Sequence, residues 1–273
     1  MAEPIVATRQ LVEEIFDGAA AGYDRAGPSL FRQFGARLVE WMAIAAGARV
    51  LDVATGTGAV LIPATQRVGP SGQVMGIDLS NEILAEANRA ARALGLSNIE
   101  LGRMDAEHLQ FGDNVFDAVT CGFGLLFFPS MDAALREMAR VCKPGGHIGL
   151  TMWGKAPFDP AWKIFAEQAR KYEIEVRMPQ KIAYSPEDIQ RLLAAAGFGG
   201  VEILTETTDL VYKDAEDWWA FQLTMGSRAA IYRMSDEKRA TFKAEYLAQL
   251  RSLFRTDGLH LPAPVIYAQA HKP

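Results

Sequence analysis

The sequence predicts an α/β protein in which a doubly wound parallel sheet is closed by a helical lid. Short β-branched segments alternate with amphipathic segments over residues 49–153, and glycine-rich or acidic turns follow the β-branched segments. This alternation is typical of parallel strands joined by right-handed helical crossovers, which bring the carboxyl ends of the strands to one edge of the sheet. We therefore expect a ligand to bind at that edge.

The core of the sheet is predicted to contain five strands, at residues 49–54, 73–78, 99–104, 116–122 and 147–153. Helices should separate them, one over residues 81–94 that Gly95 ends and one over residues 131–141 that begins after Ser130. Pro63 should shorten or kink the helix that follows the first strand.

Helical patterns dominate both flanks of this core. Helices are predicted over residues 8–20 and from Ser29 onward, before the first strand. After the core we predict a helix from Ser185 to Gly197, a strand at 201–212, helices at 214–225 and 236–254, and a final strand at 264–270. The predicted division is lid helices in residues 1–47, a ligand-binding core in 48–154, and the rest of the sheet with an inserted helical cap in 155–273.

Composition excludes several classes of protein. The chain has 273 residues, of which 49% are hydrophobic and 22% are charged, and its net charge of −5 disfavours a nucleic-acid partner. No charge-free stretch is long enough to span a membrane, and the first ten residues lack the pattern of a secretory signal. Cys121 and Cys142 have no metal-ligand spacing, so we expect reduced thiols, no metal site and a cytoplasmic location.

The sharpest motif is LDVATGTG at residues 51–58, where a strand ends in an acid and a glycine-rich turn opens a helix. Glycines allow a ligand to approach the backbone closely. A nicotinamide dinucleotide site would have a third glycine where Leu61 stands, which weakens that interpretation. The acid Asp52 also suits a ligand with an ammonium group better than one with phosphates.

Acids follow the next two strands as well. Asp78 can accept hydrogen bonds from both hydroxyls of a ribose, although NAD would use the same carboxylate. Asp105 can accept from the exocyclic amine of adenine while Met104 packs on the ring. Small residues after the fourth strand, around Gly122, would let a ligand pass over the strand end.

Together these motifs resemble the class I S-adenosylmethionine-dependent methyltransferases, and most of all the ubiquinone/menaquinone-biosynthesis type and its natural-product relatives. The matching segments are LDVATGTG (51–58), GIDLS (76–80), MDAEHL (104–109), FDAVTCGFGL (116–125) and REMARVCKPGGHI (136–148), with Phe16 and AAGYD (20–24) upstream. The resemblance implies a seven-stranded, Rossmann-like methyltransferase sheet with a helical lid, and S-adenosyl-L-methionine as the cofactor.

The resemblance implies that one group of residues holds the methionine end of the cofactor. Asp52 would do so together with the turn residues Ala54, Thr55, Gly56, Thr57 and Gly58. Gly122 and Phe123 would pass near the sulfonium, and Tyr23 would close over the methionine end.

A second group would hold the nucleoside end. By the same resemblance, Asp78 would bind the ribose and Leu79 would lie against the adenine. Asp105 and Ala106 would contact the adenine amine and the ring edge, beside Met104.

No catalytic base is assigned. Many of these methyltransferases have a histidine shortly after the fourth strand, but this sequence has LLFF at residues 125–128, and the four histidines (His108, His147, His260 and His271) are each expected outside the reaction site. An aromatic stretch at residues 218–225 either packs the cap or lines an apolar pocket. Basic residues between 228 and 255 are expected to form a solvated helix face, with an anionic substrate site as the alternative.

The implied function is methyl transfer to an oxygen, carbon or nitrogen nucleophile of a small lipophilic metabolite, such as a quinone precursor, polyketide, terpenoid or alkaloid. Three alternatives stay open: a cyclase that binds S-adenosylmethionine without methyl transfer, an NAD-dependent oxidoreductase, and a pure binding module. A small molecule is the expected partner, and a homodimer is left open.

Overall fold

The strands lie in one mixed sheet. The computed structural model describes residues 8–23, 27–174 and 183–273. The strands are β1 (Arg49–Val53), β2 (Gln73–Asp78), β3 (Ile99–Arg103), β4 (Phe116–Gly122), β5 (Cys142–Trp153), β6 (Gly199–Tyr212), β7 (Phe254–Arg255) and β8 (Gly258–His271). Their order is β3-β2-β1-β4-β5-β8-β6, and the two-residue β7 pairs with β8. The first five strands are parallel to their neighbours, whereas β8 is antiparallel to β5 and β6. The predicted seven-stranded layout is confirmed, with β7 as an addition.

Ten helices surround the sheet in the described part of the chain. They are α1 (Arg9–Ala19), α2 (Leu30–Met42), α3 (Leu61–Val68), α4 (Asn81–Ala93), α5 (Met131–Val141), α6 (Ala161–Lys171), α7 (Pro186–Ala195), α8 (Ala215–Gln222), α9 (Arg228–Tyr232) and α10 (Asp236–Leu250). Within the sheet region, α2 contacts α3 and β5, α4 contacts β2 and β3, and α5 contacts β5 and α7. None of these helices is long and apolar enough to cross a membrane.

Three strands begin earlier than the sequence predicted: β6 by two residues, and β5 and β8 by more. Strand β5 starts at Cys142 because Phe116 pairs with Cys142 before the register shifts to Ala118 and His147. Strand β8 starts at Gly258 because Arg255 pairs with Gly258 in a tight hairpin. Pro63 falls in the first turn of α3, where its missing N–H removes no intrahelical hydrogen bond.

The cap is held together by a buried hydrogen-bonded chain. Trp218 Nε1 donates to Tyr246 Oη over 2.7 Å, and Tyr246 Oη donates to the carbonyl of Ala161 over 3.0 Å. These bonds join α8, α10 and α6, and α6 itself was not predicted. Since Trp218 and Phe221 are almost fully buried, this part of the aromatic stretch packs the cap. Helices α8 and α10 both end earlier than predicted.

Candidate active site

A cavity lies where the parallel strands end. It has a volume of about 920 Å³, part of it open to solvent, and a smaller cavity adjoins it. The larger cavity is lined by Tyr23, Ala54, Gly56, Asp78, Leu79, Met104, Asp105, Ala106, Gly122 and Phe123 among the predicted site residues. The smaller one adds Thr55 and Thr57. Of the predicted site residues, Asp52 and Gly58 line neither cavity.

Asp78 connects the end of β2 to the glycine-rich turn. Its Oδ2 accepts from the amide of Gly56 over 3.0 Å, and its Oδ1 accepts from the amide of Ser80 over 3.1 Å. Burial raises the pKa of Asp78, and these two amides act in the opposite direction. Gly56 has φ +56°, a left-handed conformation that favours glycine. The carboxylate therefore holds the turn in place while it borders the cavity.

Asp52 lies beneath the turn, away from the cavity. It is 1% exposed, and its two oxygens accept from the hydroxyls of Thr55 (2.6 Å) and Thr120 (2.8 Å). Burial raises the pKa of Asp52 to about 6, although these hydroxyls lower it. The carboxylate of Asp52 therefore supports the glycine-rich turn, and direct contact between Asp52 and a ligand stays a prediction.

Gly58 is also needed for the turn itself. It has φ +95°, and its amide donates to the carbonyl of Thr55 over 3.0 Å. A side chain there would be strained because L residues rarely adopt that conformation. Gly58 therefore supports the shape of the turn without lining either cavity.

Two non-glycine residues at neighbouring strand ends have left-handed backbones. Ala54 follows β1 with φ 53°, and Phe123 follows β4 with φ 59°. Such conformations cost about 1–2 kcal/mol each and concentrate at functional sites. Both residues line both cavities, so the strained positions coincide with the predicted ligand-binding edge.

Asp105 forms an ion pair with the N-terminal helix. Arg9 Nε lies 2.6 Å from Asp105 Oδ2, and Arg9 also donates to the largely buried carboxylate of Glu107. Glu107 in turn accepts from the amide of Ser130 over 2.6 Å. The guanidinium of Arg9 therefore neutralises the acidic group that follows β3.

Aromatic side chains make up a large part of the lining of the larger cavity. They are Phe16, Tyr23, Phe31, Phe123, Phe127, Phe128 and Trp153, with Met225 from the cap. Phe16 and Phe127 meet edge to face with centroids 5.0 Å apart, and the rings of Phe123 and Trp153 are 4.4 Å apart. The cavity thus combines the carboxylates of Asp78 and Asp105 with a largely aromatic lining.

The four histidines belong to the described residues, and none lines either cavity. His260 lies instead between Asp209 and Asp257 on the sheet, and those hydrogen bonds raise its pKa. The sequence analysis missed Thr151 and Trp153, which lie at the end of β5 and line the cavities. We expected a ligand at the carboxyl ends of the first four strands. Because β5 is parallel to β4, the same expectation applied to β5 would have identified both residues.

Comparisons with known proteins identify the family. Residues 5–169 match the ubiE/COQ5 methyltransferase family. A nocamycin O-methyltransferase of Saccharothrix syringae is 30% identical over 270 residues, covering 93% of this chain and 95% of the relative. A demethylmenaquinone methyltransferase of Staphylococcus carnosus is 32% identical over 234 residues, covering 77% and 96%. The crystal structure of the cyclase SpnF shares the fold, with a TM-score of 0.62, 23% identity and 97% of each chain covered. The chain belongs to the ubiE/COQ5 methyltransferase family and is an S-adenosylmethionine-dependent methyltransferase.

Proposed function

We propose that the protein transfers a methyl group to an oxygen, carbon or nitrogen nucleophile of a small lipophilic metabolite. The observation that carries this proposal is the aromatic lining of the larger cavity, which includes Phe123 after β4 and Trp153 at the end of β5. An apolar cavity with few polar groups suits a small, largely apolar ligand. The names of the relatives, one acting on nocamycin and one on demethylmenaquinone, support a polyketide-like or quinone-precursor substrate.

The donor set of the site fits S-adenosyl-L-methionine. Asp78 offers carboxylate oxygens to a ribose, and Asp105 offers an acceptor to the adenine amine. The side chains of Leu79, Ile83 and Met104 supply apolar contact for the base. No lysine or arginine occurs among the described lining residues, which disfavours a pyrophosphate-bearing dinucleotide.

The methionine end is assigned to the smaller cavity. Its lining contains the turn residues Ala54, Thr55, Gly56 and Thr57, together with Gly122, Phe123 and Tyr23. In this proposal Asp52 and Gly58 act from below by holding the turn. The predicted division into lid, core and cap belongs to the same proposal, and it is supported by lining residues from all three parts of the chain, such as Phe16, Asp78 and Met225.

The chain's own contribution is to align the reactants and to exclude water. When bound, the cofactor supplies an activated methyl group on its sulfonium. Phe123 and Trp153 form a rigid apolar wall beside the strand ends, against which a flat acceptor can be held. Among the described lining residues, only Tyr23, Asp78 and Asp105 are ionisable, and the two acids are assigned to the nucleoside. An acceptor that ionises by itself near neutral pH therefore suits the site.

The predicted cytoplasmic location remains part of this proposal. Cys121 and Cys142 are both free and buried. Unpaired thiols are usual in a reducing compartment, where disulfides do not form.

A transfer assay with a labelled methyl group tests the function. The substrates are a panel of small phenols, enols and carboxylic acids on apolar scaffolds, with peptides and nucleic acids as comparison. We expect transfer to members of the small-molecule panel. Transfer to a macromolecule instead would contradict the proposal, and tight cofactor binding without any transfer would favour the cyclase alternative.

Phe127 offers a sharper test of where the acceptor binds. Replacing Phe127 by Ala removes an apolar wall, so KM for an apolar substrate should rise about tenfold while cofactor affinity is unchanged. Phe111→Ala is the control, because Phe111 packs on Phe116 and does not line the cavity. An unchanged KM in Phe127→Ala would place the acceptor elsewhere.

A further inference from the structure

One buried hydroxyl without a hydrogen-bond partner belongs to a residue that lines the smaller cavity. Among the described residues, three buried side-chain polar atoms lack a hydrogen-bond partner: Thr151 Oγ1, Tyr212 Oη and Gln222 Oε1. Of these residues only Thr151 lines one of the two cavities. A buried polar group without a partner costs about 1–3 kcal/mol, so such a group in a binding cavity points to a missing ligand atom.

The position of Thr151 identifies the part of the ligand that it faces. Thr151 pairs with Gly122 in the register of β4 and β5, and its carbonyl accepts from the amide of Phe123 over 3.1 Å. A Cβ built on Gly122 would lie 3.7 Å from Thr151 Oγ1. The hydroxyl therefore lies beside the end of β4, on the side of the site to which the methionine end is assigned.

The residues that line the smaller cavity indicate which charge the bound ligand group carries. The described residues around the smaller cavity include no charged side chain. An amino-acid zwitterion has no net charge, so it suits such a lining better than an isolated anion or cation. A threonine hydroxyl can donate to its carboxylate or accept from its ammonium. The polar groups of the nucleoside are already matched by Asp78 and Asp105 in the larger cavity.

We propose that Thr151 is a cofactor-binding residue whose hydroxyl hydrogen-bonds the amino-acid end of the cofactor. This inference rests on the proposed function, since it assumes that the methionine end occupies the smaller cavity. The neighbouring threonine hydroxyls differ from Thr151, because those of Thr55 and Thr120 already donate to Asp52.

The test compares two ligands that differ only in the amino-acid end. S-adenosylhomocysteine carries it, and 5′-methylthioadenosine keeps the nucleoside and thioether but lacks it. Isothermal titration of Thr151→Val should show S-adenosylhomocysteine binding about tenfold more weakly, with the affinity for 5′-methylthioadenosine unchanged. Thr151→Ser restores the hydroxyl and should restore most of the affinity.

A stability measurement separates this role from a structural one. Valine replaces an unpaired hydroxyl by a methyl group of similar size, so the ligand-free Thr151→Val protein should melt at the wild-type temperature or above it. Thr65→Val is the matched control: Thr65 is equally buried, but its hydroxyl donates to the carbonyl of Leu61 over 2.7 Å. We expect Thr65→Val to melt lower and to keep the wild-type ratio of the two ligand affinities.

Three outcomes would overturn the inference. Equal weakening of both ligands in Thr151→Val would mean that the variant disturbs the site as a whole. Unchanged affinity for S-adenosylhomocysteine would mean that the hydroxyl does not contact the ligand. If the wild-type protein bound neither ligand, both the proposed function and the inference would be wrong. This result differs from the other two, which concern only the Thr151→Val variant.

Discussion

Arg9 and Asp105 join the N-terminal helix to the ligand-binding edge, with Arg9 Nε 2.6 Å from Asp105 Oδ2. They belong to a row of contacts along α1. Glu13 pairs with Arg103, and Asp17 accepts from the hydroxyl of Ser80. Residues four apart share one face of a helix, so a single face of α1 contacts the loops that follow β2 and β3. The same helix lines the cavity through Val12 and Phe16.

Loosening this contact should speed up release of the cofactor. In Arg9→Gln the ion pair is lost. Because the pair is half-exposed, we expect the affinity for S-adenosylhomocysteine to fall only about threefold. Most of this change should be a faster dissociation of the ligand. Wild-type affinity should also decrease with added salt more steeply than that of the variant. The control is Arg89→Gln, which removes an ion pair within α4. Identical rates and salt slopes in wild type and Arg9→Gln would argue against a clamping role for α1.

The close approach of α2 to the glycine-rich turn depends on Gly35. A Cβ at residue 35 would lie 2.1 Å from the carbonyl oxygen of Ala59, so Gly35→Ala must displace α2 or the turn. We expect the free energy of unfolding to fall by about 1–3 kcal/mol and cofactor binding to weaken with it. Denaturant unfolding and titration measure both effects. Gly112→Ala, where the nearest atom to the new Cβ is 3.8 Å away, should change neither.

Because Asp52 is buried, its ionisation should lower the free energy of unfolding as the pH rises. Its pKa is about 6 in the folded protein, above the ordinary 3.8, so the folded state binds the proton more tightly than the unfolded state. The contribution of this group to stability is therefore greatest below pH 3.8 and is lost as the pH rises to about 6. Asp52→Asn cannot ionise and lacks this dependence.

Urea unfolding of both proteins at several pH values measures the effect. The free energy of unfolding of Asp52→Asn minus that of wild type should rise by about 2–3 kcal/mol between acid and neutral pH. A difference that stays constant across this range would show that Asp52 titrates normally and that burial does not govern its charge.

The fold could be predicted from the sequence because the periodicity of the segments and the residues at their ends indicate the same elements. Strand and helix periodicities alternate, and glycines and acids mark the strand ends where backbone turns or ligands require them. Boundaries were predicted less well where pairing between distant segments decides them. Strand β5 extends back to Cys142 because Phe116 pairs with it, and β8 extends back to Leu259 because that residue pairs with Tyr212 of β6.

The candidate site was predictable where it depends on local turns. The residues near Asp78 and Gly122 follow their strands directly, and the structure brings them together in one cavity. In the N-terminal segment, Tyr23 was predicted only through the family resemblance, and nothing local to Phe16 or Arg9 indicates which strand end they reach. The sequence position of Asp52 matches that of a ligand-type acid, but only the structure shows that its oxygens accept from the hydroxyls of Thr55 and Thr120.

Isothermal titration with S-adenosylmethionine and, separately, with NAD tests the central claim most directly. It is made on wild type, Asp78→Asn and the control Asp236→Asn, whose carboxylate is exposed on α10. We predict binding of S-adenosylmethionine alone, weakened about tenfold or more in Asp78→Asn and unchanged in Asp236→Asn. Binding of NAD by the wild-type protein, or full S-adenosylmethionine affinity in Asp78→Asn, would contradict the account.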